Sequence, residues 1–80
     1  MAHTVKIFTT PTCGYCRQAK DFFKDHNVSF SEVDVIKDQV ALKEMADRSG
    51  QMGVPVIFVD DEIVIGFDRN RLASLLGITL

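Results

Sequence analysis

No run of like charge, no long apolar stretch and very little cysteine occur in this 80-residue sequence. Nine Lys and Arg stand against eleven Asp and Glu, a formal charge of -2 without a basic cluster, so nucleic acid is not expected as a partner. No apolar run approaches the roughly 20 residues that a bilayer crossing requires, so no membrane partner is expected either. The opening Met1-Ala2-His3-Thr4 lacks the basic start and apolar core of a secretory signal, which points to a cytoplasmic location. With only five Gly and two Pro, 46% hydrophobic and 25% charged residues, the composition is that of a packed globular chain and not of a disordered or fibrous one. Eighty residues leave room for a single domain, 1–80, that buries roughly two-thirds of its unfolded surface. A monomer is expected.

The two cysteines, Cys13 and Cys16, are separated by Gly14 and Tyr15. A disulfide between them closes so small a ring that it hardly restricts the unfolded chain. A structural disulfide is also disfavoured in a reducing cytosol, which leaves redox chemistry or metal binding to explain the spacing. A closed zinc site takes four ligands, and the second half of one is missing, because His3 precedes the first strand and His26 falls near a helix end. No metal ligands are therefore assigned. Because Cys-x-x-Cys is also half of many iron-sulfur sites, an iron-sulfur or metal-binding module is the alternative reading.

Hydrophobic periodicity places the pair. Val5 and Ile7, flanked by Thr4, Phe8 and Thr9, read as a strand that stops before Pro11. Cys16, Ala19, Phe22 and Phe23 then form the apolar stripe of a helix from Gly14 to about His26, with Asn27 as its stop. Ser29 to Val35 reads as a second strand, and Asp38 caps a second helix to about Ser49, with Val40, Leu42, Met45 and Ala46 as its apolar positions and Gly50 beyond its end. Val56 to Val59 and Ile63 to Ile65 form a hairpin around Asp60-Asp61, and Asp68 caps a last helix carrying Leu72, Leu75 and Leu76, stopped by Gly77. The order is βαβαββα. A helix joins the first two strands, so they can run parallel with a right-handed crossover, whereas the hairpin is antiparallel and the sheet is mixed. Helices on both faces would bury the continuous Val56 to Val59 strand.

Cys13 thus sits at a helix N-terminus. A free thiol has a pKa of roughly 8.5, and lowering it by about 1.5 units requires roughly 2 kcal/mol. The helix dipole supplies only about 0.3 to 1 kcal/mol at an exposed site. Hydrogen bonds to the Cys13 sulfur from first-turn amides, from the Cys16 thiol or from both are expected to supply the rest. Arg17 and Lys20 project towards the same surface as secondary positive charges. Residues three apart on a helix approach to about 5 Å, close enough for a disulfide. Cys13 lies at the solvent-facing tip and attacks; Cys16 belongs to the apolar stripe and resolves. Tyr15 either contacts a peptide or glutathione moiety or covers the loop, and Phe67 is either a partner contact or buried behind the last helix.

Three separated motifs, Thr10-Pro11-Thr12-Cys13-Gly14-Tyr15-Cys16, Gly53-Val54-Pro55 and Gly66-Phe67-Asp68, resemble the glutaredoxin-like branch of the thioredoxin superfamily in order and spacing, over nearly the whole chain. The resemblance implies an α/β thioredoxin-like fold and a small dithiol thiol-disulfide oxidoreductase, an electron carrier reducing protein or glutathione mixed disulfides without a tightly bound cofactor. It implies a cis bond before Pro55, facing the cysteines, with the Val54 backbone pairing with bound peptide or glutathione. It also implies that Gln51 meets the glycine carboxylate of glutathione, that Asp68 with its helix-start amides holds the γ-glutamyl end, and that Gly66 belongs to the same site. Thr10 stands where glutathione-binding members commonly carry lysine. Ile65-Gly66-Phe67-Asp68-Arg69 stands in place of Gly-Gly-Cys-Asp-Asp. Gly66-Phe67 is similar instead to the NrdH-redoxins, which take electrons from thioredoxin reductase, although Val64-Ile65 replaces their usual Trp-Ser. Glutathione and thioredoxin reductase both stay open as the electron source.

Overall fold

The computed structural model describes residues 3–80, so Met1 and Ala2, part of the N-terminal reading, lie outside the described residues. Its elements are β1 (Val5–Thr9), α1 (Gly14–Asp25), β2 (Ser31–Asp34), α2 (Gln39–Ser49), β3 (Val56–Val59), β4 (Glu62–Ile65) and α3 (Arg69–Leu76). The βαβαββα order is the expected one. The strands lie in the order β2-β1-β3-β4. β1 runs parallel to β2, and β3 runs antiparallel to both β1 and β4, which makes a mixed four-stranded sheet.

Alternation along the central strands divides the core into two. Val5, Ile7, Ile57, Val59 and Val64 face α1 and α3, which contribute Ala19, Phe22, Phe23, Leu72 and Ala73. On the opposite face Phe8, Val56 and Phe58 pack with Val35 against Ala41 and Met45 of α2. The Phe8 and Phe58 rings meet edge to face with centroids 4.9 Å apart. Every residue of β3 is buried because helices cover both sides of it.

Local capping delimits the helices. The Asp38 and Asp68 side chains accept from the amides of Ala41 and Arg71, satisfying donors that the first turn leaves unpaired. Gly50 and Gly77 take the left-handed conformation that ends α2 and α3, at φ 75° and 70°. Asn27 does the same just beyond α1, at φ 57°.

Two expectations need correction. Val40 does not belong to the buried stripe of α2; it is 81% exposed, and the buried positions are Ala41 and Met45. These are four residues apart and stack on one face, whereas Val40 precedes Ala41 by about 100° of helix rotation, towards solvent. β2 is also shorter than Ser29 to Val35. It is an edge strand, and its register with β1 covers only Ser31 to Asp34, opposite Lys6 to Thr9. Phe30 and Val35 still pack inward beyond the ladder, Phe30 with its ring 5.3 Å from that of Phe23.

Candidate active site

The C-terminal end of β1 leads through a turn into α1, closed by the Cys13 amide donating to the Thr10 carbonyl at 3.3 Å. Cys13 is the N-cap of α1, with φ -84° and ψ 110°. In place of the oxygen of a Ser or Asp cap, its sulfur accepts a hydrogen bond from the Cys16 amide at 3.1 Å. The expected first-turn amide is therefore identified. Cys13 and Cys16 form a disulfide with Cα atoms 5.2 Å apart. Cys13 is half-buried, while Cys16 is only 1% exposed on the inner side of α1. The two sulfurs are thus unequally open to a partner.

The Val54–Pro55 bond is cis. The Pro55 carbonyl accepts from the Gly66 amide at 2.8 Å, which ties the segment before β3 to the one after β4. Gly66 adopts φ 78°, a backbone region costly for residues with a Cβ. Around this tie lies an open groove of about 490 Å³ lined by Tyr15, Val54, Pro55, Gly66 and Asp68, together with Ile65, Phe67, Arg69 and Asn70. The groove gathers five of the six residues that the sequence and the resemblance together offered for a substrate or glutathione site. Tyr15 does not close the loop by burial, being 65% exposed. Phe67 divides its surface between the groove and the core, where its ring meets Phe22 at a centroid distance of 5.9 Å.

Gln51 is the sixth, and it lies apart. Its side-chain amide turns back on its own loop, accepting from the Gly53 amide at 2.7 Å and donating to the Gly53 carbonyl at 2.9 Å. A Cβ on Gly53 would come within 2.8 Å of the Gln51 Oε1. The glycine therefore permits a clamp that holds the loop leading to Pro55.

A second recess, about 310 Å³ and polar, opens on the β2 side of Cys13. Lys20 Nζ lies 2.8 Å from Glu32 Oε2, and the hydroxyl of buried Thr9 donates to the same oxygen at 3.1 Å. The Lys20 ammonium is the main reason that the Glu32 carboxyl is held below the ordinary carboxylate range; partial desolvation opposes it, and Thr9 assists. Arg17, Asp34 and Lys37 complete the recess with Cys13. Glu32, Asp34 and Lys37 carry no motif that marks them in the sequence as neighbours of Cys13. The signal available was topological, since parallel neighbouring strands place their C-terminal ends, and the loops after them, side by side.

The histidines lie elsewhere. His3 Nδ1 is 2.7 Å from an oxygen of Asp60, and His26 packs on Phe22 at a centroid distance of 4.6 Å. Among the described residues, no three His, Cys, Asp or Glu side chains gather as a metal-holding group, and the cysteine pair offers half the donors of a closed tetrahedral site. No described helix is long and apolar enough to cross a membrane.

The Glutaredoxin family model matches residues 5–64. A glutaredoxin-like 8.6 kDa protein of the Clostridium pasteurianum rubredoxin operon is 39% identical over 72 residues, 90% of this chain and 96% of that protein. Glutaredoxin 3 of Escherichia coli K12 is 39% identical over 64 residues, 80% of this chain and 77% of that one. Among solved structures, a mutant of the thioredoxin-like protein BC3987 superposes with a TM-score of 0.90 at 32% identity, over 95% of this chain and 97% of that one. The chain belongs to the glutaredoxin family, and its Cys13–Cys16 pair makes it a dithiol thiol-disulfide oxidoreductase.

Proposed function

We propose that Cys13 is the attacking sulfur, that Cys16 resolves, and that the groove along Val54 and Pro55 receives an extended segment of a disulfide-bearing protein. The observation that carries this reading is the asymmetry of the pair. The half-buried Cys13 sulfur caps a helix and accepts the Cys16 amide, whereas Cys16 is closed to any macromolecule until Cys13 has reacted.

In the reduced protein the Cys13 thiolate attacks one sulfur of the substrate disulfide along the S–S axis. A Cys13-substrate disulfide forms, and the other substrate sulfur leaves as a thiolate that takes a proton. Cys16 then gives up its proton and attacks Cys13 Sγ. The second substrate sulfur departs, and the Cys13–Cys16 disulfide forms, as in the structure described here. Two electrons have moved from the protein to the substrate. They must be restored by an external thiol such as glutathione or by a thioredoxin reductase.

Among the described residues, neither the amide nor the carbonyl of Val54 takes part in a backbone hydrogen bond, so both are free to pair with a passing strand. Tyr15 flanks such a strand, and a γ-glutamyl end would find the Asp68 carboxylate for its α-amino group and the first-turn amides of α3 for its α-carboxylate. A glutathione carboxylate would find neither a lysine at position 10 nor a free Gln51 amide. The groove therefore favours protein disulfides as substrates, with glutathione held chiefly by its cysteinyl backbone and γ-glutamyl end. The cytoplasm, with a reducing poise that keeps the pair charged, is the compartment that suits this cycle.

The test is an NADPH-coupled assay on a protein disulfide and on a glutathione mixed disulfide. It is run in parallel with glutathione plus its reductase and with thioredoxin reductase. Turnover with at least one donor that vanishes in Cys13→Ser supports the reading, and the ratio of the two rates identifies the electron source. Turnover that survives Cys13→Ser would overturn it.

A further inference from the structure

The recess on the β2 side of Cys13 carries local positive charge in a chain whose formal charge is -2. Its walls hold three cations, Arg17, Lys20 and Lys37, and two carboxylates, Glu32 and Asp34, beside Cys13 itself. These charges are not equally free. Lys20 and Glu32 are paired at 2.8 Å and offset one another. Asp34 Oδ1 accepts from the amides of Ile36 at 2.9 Å and Lys37 at 3.4 Å, which disperses part of its charge into the turn after β2. Neither the Arg17 guanidinium nor the Lys37 ammonium pairs with any carboxylate among the described residues. What remains is two free cations partly offset by one carboxylate, facing a concave surface that includes Cys13.

We propose that Arg17 and Lys37 form an anion subsite selecting substrates with an Asp or Glu close to the half-cystine that Cys13 attacks; the inference rests on Cys13 being the attacking sulfur. The groove along Val54 and Pro55 lies on the β3 and β4 side of β1, whereas this recess lies on the β2 side. A chain crossing Cys13 from the groove therefore places its next residues over the recess. The excess charge there is about one unit, which matches a carboxylate. A dianionic group would meet Glu32 and Asp34 as well. Because Arg17 and Lys37 are exposed, the attraction is that of surface ion pairs, modest at physiological salt and weaker above it.

The test uses the reduced full-length protein and two disulfide-linked peptides, identical except for Asp or Asn on either side of the reacting cysteine. Single-turnover rates are compared at low and at 0.5 M salt. The Asp peptide is expected to react roughly fivefold faster at low salt, the scale of one or two exposed ion pairs. That ratio should fall towards one at high salt and in the Arg17→Gln, Lys37→Gln double variant. A ratio of one in the unmodified protein, or a ratio that persists in the double variant, would overturn the subsite. If the cations acted only by favouring the Cys13 thiolate, both peptides would slow together and the ratio would persist, so that case is separated from substrate selection. Failure to reduce either peptide would overturn the assignment of Cys13, and the subsite with it.

Discussion

The Cys16 amide donates to the Cys13 sulfur across 3.1 Å, so in the proposed cycle the resolving residue also supports the sulfur that begins it. Moving a thiol from its ordinary pKa to near neutrality requires roughly 2 kcal/mol, of which the helix dipole supplies about 0.3 to 1. A hydrogen bond to a charged group contributes about 1.5 to 3 kcal/mol. In the reduced protein, with Cys13 as the proposed nucleophile, a dipole and an amide bond of these sizes would together meet the requirement.

Cys13 should consequently alkylate as an acidic thiol. In the reduced protein, the pH profile of iodoacetamide labelling followed by mass spectrometry should place its midpoint below the roughly 8.5 of a free cysteine. Cys16, 1% exposed, should label far more slowly at every pH. Equal reactivity of the two sulfurs would remove the basis for dividing their roles.

Substitution separates the two steps. Cys16→Ser should still react with a disulfide substrate and accumulate a covalent adduct through Cys13, visible as the summed mass on non-reducing analysis. Cys13→Ser should give no adduct and no turnover.

At Asp68, structure and binding can be told apart. Its carboxylate caps α3 by accepting from the Arg71 amide at 3.1 Å, so Asp68→Ala should cost about 1 kcal/mol and lower the melting temperature by roughly 4 to 8 °C. Asp68→Asn keeps the cap and should melt close to the unmodified protein. It removes the charge facing the groove, so its KM for a glutathione mixed disulfide should rise. An unchanged KM would place the bound amino group elsewhere.

The Lys20–Glu32 pair should give stability that depends on pH. The folded-state pKa of Glu32 is lowered, so its contribution is complete above the ordinary carboxylate range and disappears as the pH falls through the folded value. Both side chains are partly solvated, 26% and 43% exposed, and Glu32→Gln should cost at most about 1 kcal/mol at pH 7. Urea denaturation of the two proteins should converge under acidic conditions below that range; a difference that grew on acidification would contradict the assignment.

Much of the fold was legible because its signals are local. Asp38 and Asp68 mark helix starts through side chains that reach amides three residues on, and Gly50 and Gly77 mark ends through a backbone conformation that suits residues without a Cβ. The Cys13 to Cys16 spacing similarly places one sulfur at a helix tip and the other on its inner side. Val40 was misplaced because hydrophobicity alone does not set the rotation of a short helix over a sheet. Ala41 and Met45 turn inward together, and an exposed valine on the remaining face costs little. The role of Gln51 came from the resemblance alone, and nothing nearby in sequence reveals that its side-chain amide bonds to Gly53.

The sequence by itself determined the helices and their caps, the βαβαββα order, and a pair of cysteines spaced to exchange disulfides, because each of these depends on residues within a few positions of one another. Only the tertiary structure decided that Gly66 ties to Pro55, that Tyr15 and Asp68 border one groove, and that Glu32 and Lys37 share a recess with Cys13. Those neighbours are distant in the chain. What joins them is the pairing order of the strands and the crossover between β1 and β2, set by burying both faces of one sheet at once.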